Sequence, residues 1–201
     1  MGNNALELLN DIKEDGVEVC LVSKYWNEQQ LMEFYNLGFR KFGENRVDVL
    51  STRSKKLPDD IEWHFLGNIQ SRDLAKICES ASLIQSFDRP DLIEKLSKFD
   101  NIEVLIQINL VDDETRNGIH LNDLQTVIEK INYYGIKCNG FMLHPPLNLS
   151  IEEKLDLFKK MNDVFSQYPN YSILSMGTSN DYKLANSCGA TLNRLGRVLF
   201  D

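Results

Sequence analysis

Short apolar, β-branched runs alternate along the chain with longer segments whose apolar residues recur at helical spacing. Eight runs read as strands: VEVCLV (17–22), RKFG (40–43), EWHFLG (62–67), SLIQSF (82–87), EVLIQINL (103–110), IKCNGFML (136–143), YSILSM (171–176) and TLNRLG (191–196). Helical patterns fill the gaps. The clearest runs from Ser150 to Gln167, where Ser150 and Glu153 form a capping box and Ile151, Leu155, Phe158 and Phe165 make the buried stripe. Pro169 ends it. In SFDRPDLIEKL, Asp88 reads as an N-cap and Pro90 as a first-turn residue. HLNDLQTVIEKINYYG reads as a further helix stopped by Gly135.

Strands alternating with helices imply parallel βαβ units, and eight of them predict a closed (β/α)8 TIM barrel. A doubly wound open sheet is the alternative, but it uses fewer strands in a chain of 201 residues. With no repeat, linker or low-complexity segment, residues 1–201 read as a single domain.

Composition narrows the function classes. Formal net charge is -8, from 22 basic and 30 acidic residues, which argues against non-specific nucleic-acid binding. Cys20, Cys78, Cys138 and Cys188 form no CxxC pair and read as reduced thiols, with Cys20 and Cys188 as small packing groups. No apolar stretch reaches the ~20 residues a membrane helix needs, and the start lacks a leader pattern. These features predict a cytoplasmic protein, and a monomer is the natural state of a closed barrel. No two histidines have metal-ligand spacing, so no metal is expected.

In a barrel of this kind, chemistry lies at the C-terminal strand ends. Those ends carry Lys24, Gly43-Glu44-Asn45, Gln107 and Asn109, Met142 to His144, the loop SMGTSND (175–181) and Asn193-Arg194-Leu195-Gly196. The SMGTSND loop offers the hydroxyls of Ser175, Thr178 and Ser179 and a glycine at Gly177. Gly196 adds a second glycine turn, and loops after the last two strands are the usual phosphate site of these barrels. A lysine amine beside a phosphate cup fits a Schiff-base aldolase or a pyridoxal phosphate protein. Arg194, permanently charged, would keep a facing pyridine nitrogen unprotonated and the ring a weak electron sink. Glu44 reads as a helix N-terminal charge, and His64, on a strand after Trp63, as a core histidine.

LVSK, FGENR, EWHFLGNIQS, SFDR, IQINL, GFMLHPP, LSMGTSND and NRLGRVLF occur in an order and spacing that resemble the pyridoxal phosphate homeostasis proteins of the YggS/PROSC type. These are relatives of the N-terminal barrel of alanine racemases. The resemblance covers about residues 15 to 200. It implies a barrel holding pyridoxal 5′-phosphate as a Schiff base on Lys24. Arg194 would face the pyridine nitrogen, Ser175, Gly177, Thr178 and Gly196 would form the phosphate loops, and Asn45 and Met142 would lie near the ring. It implies no catalytic residues, a role in cofactor homeostasis, and pyridoxal phosphate-dependent apoenzymes as recipients.

Several positions depart from the family pattern. Tyr25-Trp26 replaces Thr and a nearby Pro, Asp73 replaces a lysine, Thr178 replaces a methionine, Arg197 follows the last glycine, and the end reads Phe200-Asp201. Arg197 is read either as a phosphate partner or as a solvent-facing side chain. The competing class is an amino-acid racemase. It needs two bases on opposite faces of the substrate, one of them supplied in racemases by a further domain beyond the position of Asp201.

Overall fold

The computed structural model describes residues 3–111 and 116–199; Phe200 and Asp201 lie outside them. The chain runs α1 (Asn3–Glu14), β1 (Glu18–Val22), α2 (Glu28–Asn36), β2 (Lys41–Glu44), α3 (Val47–Lys56), β3 (Glu62–Phe65), α4 (Leu74–Cys78), β4 (Leu83–Phe87) and α5 (Ile93–Leu96). It continues through β5 (Glu103–Asn109), β6 (Ile119–His120), α6 (Leu121–Tyr133), β7 (Lys137–Leu143), α7 (Ile151–Phe165), β8 (Ile173–Thr178), α8 (Tyr182–Ser187) and β9 (Leu192–Leu195). All pairings in the sheet are parallel. The order β4-β3-β2-β1-β9-β8-β7-β5, closed by β4 on β5, makes the expected eight-stranded barrel.

Two features differ from the sequence reading. β6 is a ninth, two-residue strand on β5, at Ile108↔Ile119 and Asn109↔His120, beyond where β4 leaves that edge. Two residues leave too little periodicity to be read. The helix after β4 is also not capped by Asp88. A 3-10 turn, Pro90–Leu92, comes first, and α5 follows it as a single turn. Pro90 sets the φ of that turn, but Arg89 holds the cap position without a side-chain capping bond.

Helix ends elsewhere follow local chemistry. Ser150 Oγ accepts from the Glu153 amide at 3.2 Å, and Glu153 Oε2 accepts from the Ser150 amide at 2.8 Å. Asn27 and Gln30 close the same motif at α2. Each such cap is worth ~1 kcal/mol. Among the described residues the last strand is followed by a short 3-10 turn, Arg197–Leu199, and α1 packs against β1 and that turn.

The core has two parts. Outward strand residues such as Phe42, Phe65, Ile84, Val104, Phe141 and Leu195 meet the helices in one large layer. Inside the barrel, Leu83, Leu105 and Met142, with Ile173 beside them, form a separate apolar layer. The strand period of two separates these faces.

Candidate functional site

The upper interior of the barrel is polar where its lower layer is apolar. Arg194 Nη1 donates to Ser175 Oγ at 2.6 Å, and Ser175 Oγ donates to Gln85 Oε1 at 2.6 Å. Gln85 Nε2 lies 2.7 Å from His64 Nδ1. Cys20 of β1 is buried beside this chain. One buried chain of side chains thus crosses the barrel from β9 to β3.

Burial sets the protonation of this chain. It pushes the Cys20 thiol up to about 12, so the sulfur stays protonated despite the Arg194 charge. It pushes His64 down to about 3, so the imidazole is neutral. Arg194 is lowered to about 10, still a cation at neutral pH. Its other hydrogen bond runs from Nη2 to the Leu143 carbonyl at 2.9 Å, and among the described residues no carboxylate forms an ion pair with it. A buried cation without a counter-charge is costly, and an anionic ligand or acceptor above it would offset that cost.

His64 carries a testable consequence. Its folded pKa of about 3 lies below the unfolded value of 6.5, so the unfolded chain binds its proton first. The stability it contributes is full above pH 6.5 and is lost as pH falls toward 3. Between pH 7 and pH 5 this single group should remove about 2 kcal/mol. Urea unfolding at both pH values should show that loss in the wild type and its absence in His64→Gln. Equal losses in the two proteins would contradict a buried neutral imidazole.

Above Arg194 the chain forms two joined turns. Ser179 Oγ accepts from the Gly196 amide at 3.5 Å and from the Val198 amide at 3.3 Å, tying the turn after β8 to the turn after β9. Two backbone N–H groups therefore aim at one oxygen position, as an anion site requires. Gly196 is needed for close approach, since a Cβ there would come within 2.8 Å of the Val22 carbonyl oxygen. Gly177 has φ +91, in the left-handed region that favours glycine.

The predicted phosphate residues divide. Gly177 and Gly196 stand at the joined turns, but Ser175 does not. Its side chain points into the barrel two residues before Gly177, ~6–7 Å deeper along the strand, where it is fully buried under Arg194. The Thr178 hydroxyl is also engaged elsewhere. Asp181 Oδ1 accepts from Thr178 Oγ1 at 2.9 Å and from the Thr178 amide at 2.7 Å, while Lys154 Nζ stands 3.5 Å from Asp181 Oδ2. Ser179, one of three hydroxyls in this string, is the side chain that joins the turns. Arg197 is exposed. Met142 lies in the apolar layer with Leu83 and Leu105, and Asn45 is exposed on the rim after β2.

Lys24 lies in the turn after β1. The ladder continues to the Ser23 amide, which donates to the Gly43 carbonyl at 3.0 Å. Lys24 and Tyr25 are both exposed, with the ammonium 5.0 Å from the Tyr25 ring centroid. β1 pairs with β9 through Cys20↔Arg194 and Leu21↔Leu195, and β9 pairs with β8, so Lys24, Gly196 and Gly177 end three adjacent strands.

Glu44 is not a helix N-terminal charge. It ends β2 fully buried on the outward face, where it accepts from Ser23 Oγ at 2.5 Å and from Arg53 of α3. Nothing in a glutamate after Phe42-Gly43 reveals a partner nine residues on, since that pairing depends on how α3 folds back over β2.

Two turn amides that meet at one oxygen after the last two strands of a closed parallel barrel, with a lysine in the turn after the neighbouring strand, are the arrangement that phosphate-binding (β/α)8 barrels share. The chain belongs to the family of the alanine racemase N-terminal domain, whose model matches residues 3–201, and within it to the pyridoxal phosphate homeostasis proteins. The protein of that name from Aquifex aeolicus is 33% identical over 199 residues, covering 93% of this chain and 87% of the relative. PipY of Synechococcus elongatus, solved without PLP, is 30% identical with a TM-score of 0.90, covering 98% of this chain and 99% of its own. The same protein with PLP bound gives a TM-score of 0.88, at 98% and 100% coverage.

Proposed function

We propose that this protein binds pyridoxal 5′-phosphate, holds it as a Schiff base on Lys24, and serves intracellular cofactor homeostasis rather than turnover of a substrate. The single observation that carries this reading is the convergence, on adjacent strands β1, β9 and β8, of a lysine, a buried guanidinium and two joined glycine turns. The residues present fit the group. The Gly196 and Val198 amides would grip a phosphate oxygen in place of Ser179 Oγ, and the two glycines let these turns pack closely on β1 and α8.

Strand alternation supports Lys24 as the anchor. Ser23 turns its hydroxyl outward to Glu44, so the next side chain belongs to the inner side, in step with Cys20. Arg194 would meet the ring nitrogen from the barrel floor as a donor only, leaving the ring unprotonated there. When bound, the cofactor supplies an aldehyde, and the Lys24 amine is the group that captures it. Asn45 and Met142 would flank the ring from the rim and from below, and recipient apoenzymes are the partners this role implies.

A spectrum of the purified protein with added pyridoxal 5′-phosphate tests the reading. A saturable visible band is expected, with no D-alanine formed from L-alanine above the protein-free control. Absence of the band would overturn the binding proposal. Racemisation at an enzymatic rate, on the order of 1 s⁻¹ or faster, would overturn the non-catalytic part.

A further inference from the structure

The turn that carries Lys24 is fixed from behind the barrel wall. The Trp26 amide donates to the Ser23 carbonyl at 2.8 Å, closing a tight turn with Lys24 and Tyr25 at its tip. Both tip side chains are exposed, Tyr25 to 87%, so packing at the tip does not hold it. What holds it lies underneath. Arg53 Nη1 donates to the Ser23 carbonyl at 3.0 Å and also to Glu44 Oε1, while its Nη2 donates to the Trp26 carbonyl. One guanidinium therefore grips the carbonyls on both sides of the Lys24-Tyr25 pair. The Trp26 ring anchors the far end, stacked on Phe34 at 4.8 Å.

The foundation of this grip is an ion pair that a fold alone does not require. Glu44 and Arg53 side chains are 1% and 11% exposed, and Glu44 Oε2 is buried without a hydrogen bond. Burial raises the Glu44 carboxyl above the usual carboxylate range, against the pull of Ser23 and Arg53. A buried pair of this kind is weak as a source of stability and better suited to fixing geometry. Arg supplies what Lys would not: a planar fork that serves two carbonyls and a carboxylate together.

We propose that Arg53, which stands on α3 behind the barrel wall, is a positioning residue for Lys24, holding its turn so that the amine meets a ligand aldehyde gripped by the β8 and β9 turns. The inference rests on the reading of Lys24 as the covalent anchor. In the step it serves, the amine nitrogen forms a C=N bond to the aldehyde carbon, and the aldehyde oxygen leaves as water.

The test compares two ligands with the same ring and phosphate: pyridoxal 5′-phosphate, and pyridoxine 5′-phosphate, whose alcohol cannot condense with an amine. In Arg53→Met the visible band should form at least tenfold more slowly or more weakly, while pyridoxine 5′-phosphate affinity stays within twofold of wild type. Arg53→Lys, which keeps the charge beside Glu44 and so protects folding, should recover less than half of that loss. A parallel fall for both ligands, in either variant, would make Arg53 a general support of the fold and overturn the proposal. An unchanged band in both variants would overturn it as well. Failure of the underlying reading looks different: wild-type protein would give no band, or Lys24→Ala would keep it.

Discussion

Lys24→Ala should purify as a folded protein that gives no visible band with pyridoxal 5′-phosphate. The side chain is exposed in a turn, so its removal should change stability by no more than about 0.5 kcal/mol. Affinity for pyridoxal 5′-phosphate should fall about a hundredfold, equivalent to ~2.8 kcal/mol, as the covalent link is lost. Affinity for pyridoxine 5′-phosphate should hold, because the amides after β8 and β9 remain. A titration followed by absorbance and by calorimetry checks both halves. A variant that retains the band places the covalent link on another amine.

Gly177→Ala should be the most damaging single-methyl change in the site. Its φ of +91 disfavours any Cβ, and the added carbon would sit 2.8 Å from Ala185 Cβ and from Asn193 Nδ2, and 2.9 Å from Tyr182 Cα. Ala185 and Tyr182 lie on α8 and Asn193 on β9, so relief would move the wall behind both ligand turns. The cost should be about 2–4 kcal/mol, combining backbone strain and overpacking. In a chain of this size that lowers the melting temperature by roughly 10 °C. Ligand affinity should fall for pyridoxal and pyridoxine phosphates alike, in contrast to Lys24→Ala. A melting temperature within 2 °C of wild type would contradict the close packing described for this turn.

The barrel was legible because its signal is repeated. Runs such as EVLIQINL and the FML end of IKCNGFML are buried on both faces, helical stripes separate them, and each strand begins and ends within two residues of its expected bounds. What escaped the sequence depends on three-dimensional return. Ser175 and Thr178 share a hydroxyl-rich string with Ser179, and only strand depth and the Asp181 carboxylate decide which of them joins the turns. Gln85 gives no signal of its own in SLIQSF, yet it links His64 to Ser175 across the barrel. Asp88 has the chemistry of a cap, but Pro90 imposes a 3-10 turn before the helix begins. Glu44 reads as a dipole charge in sequence, because the arginine that pairs with it is in the last turn of the following helix.

Cofactor holding on Lys24 comes down to one covalent bond at one nitrogen. Borohydride reduction of the protein with pyridoxal 5′-phosphate, followed by peptide mass spectrometry, reads that bond directly. One stoichiometric pyridoxyl phosphate adduct is expected, on the peptide that carries Lys24. An adduct located on Lys41, Lys154 or another lysine, or none above the level of denatured protein, would contradict it.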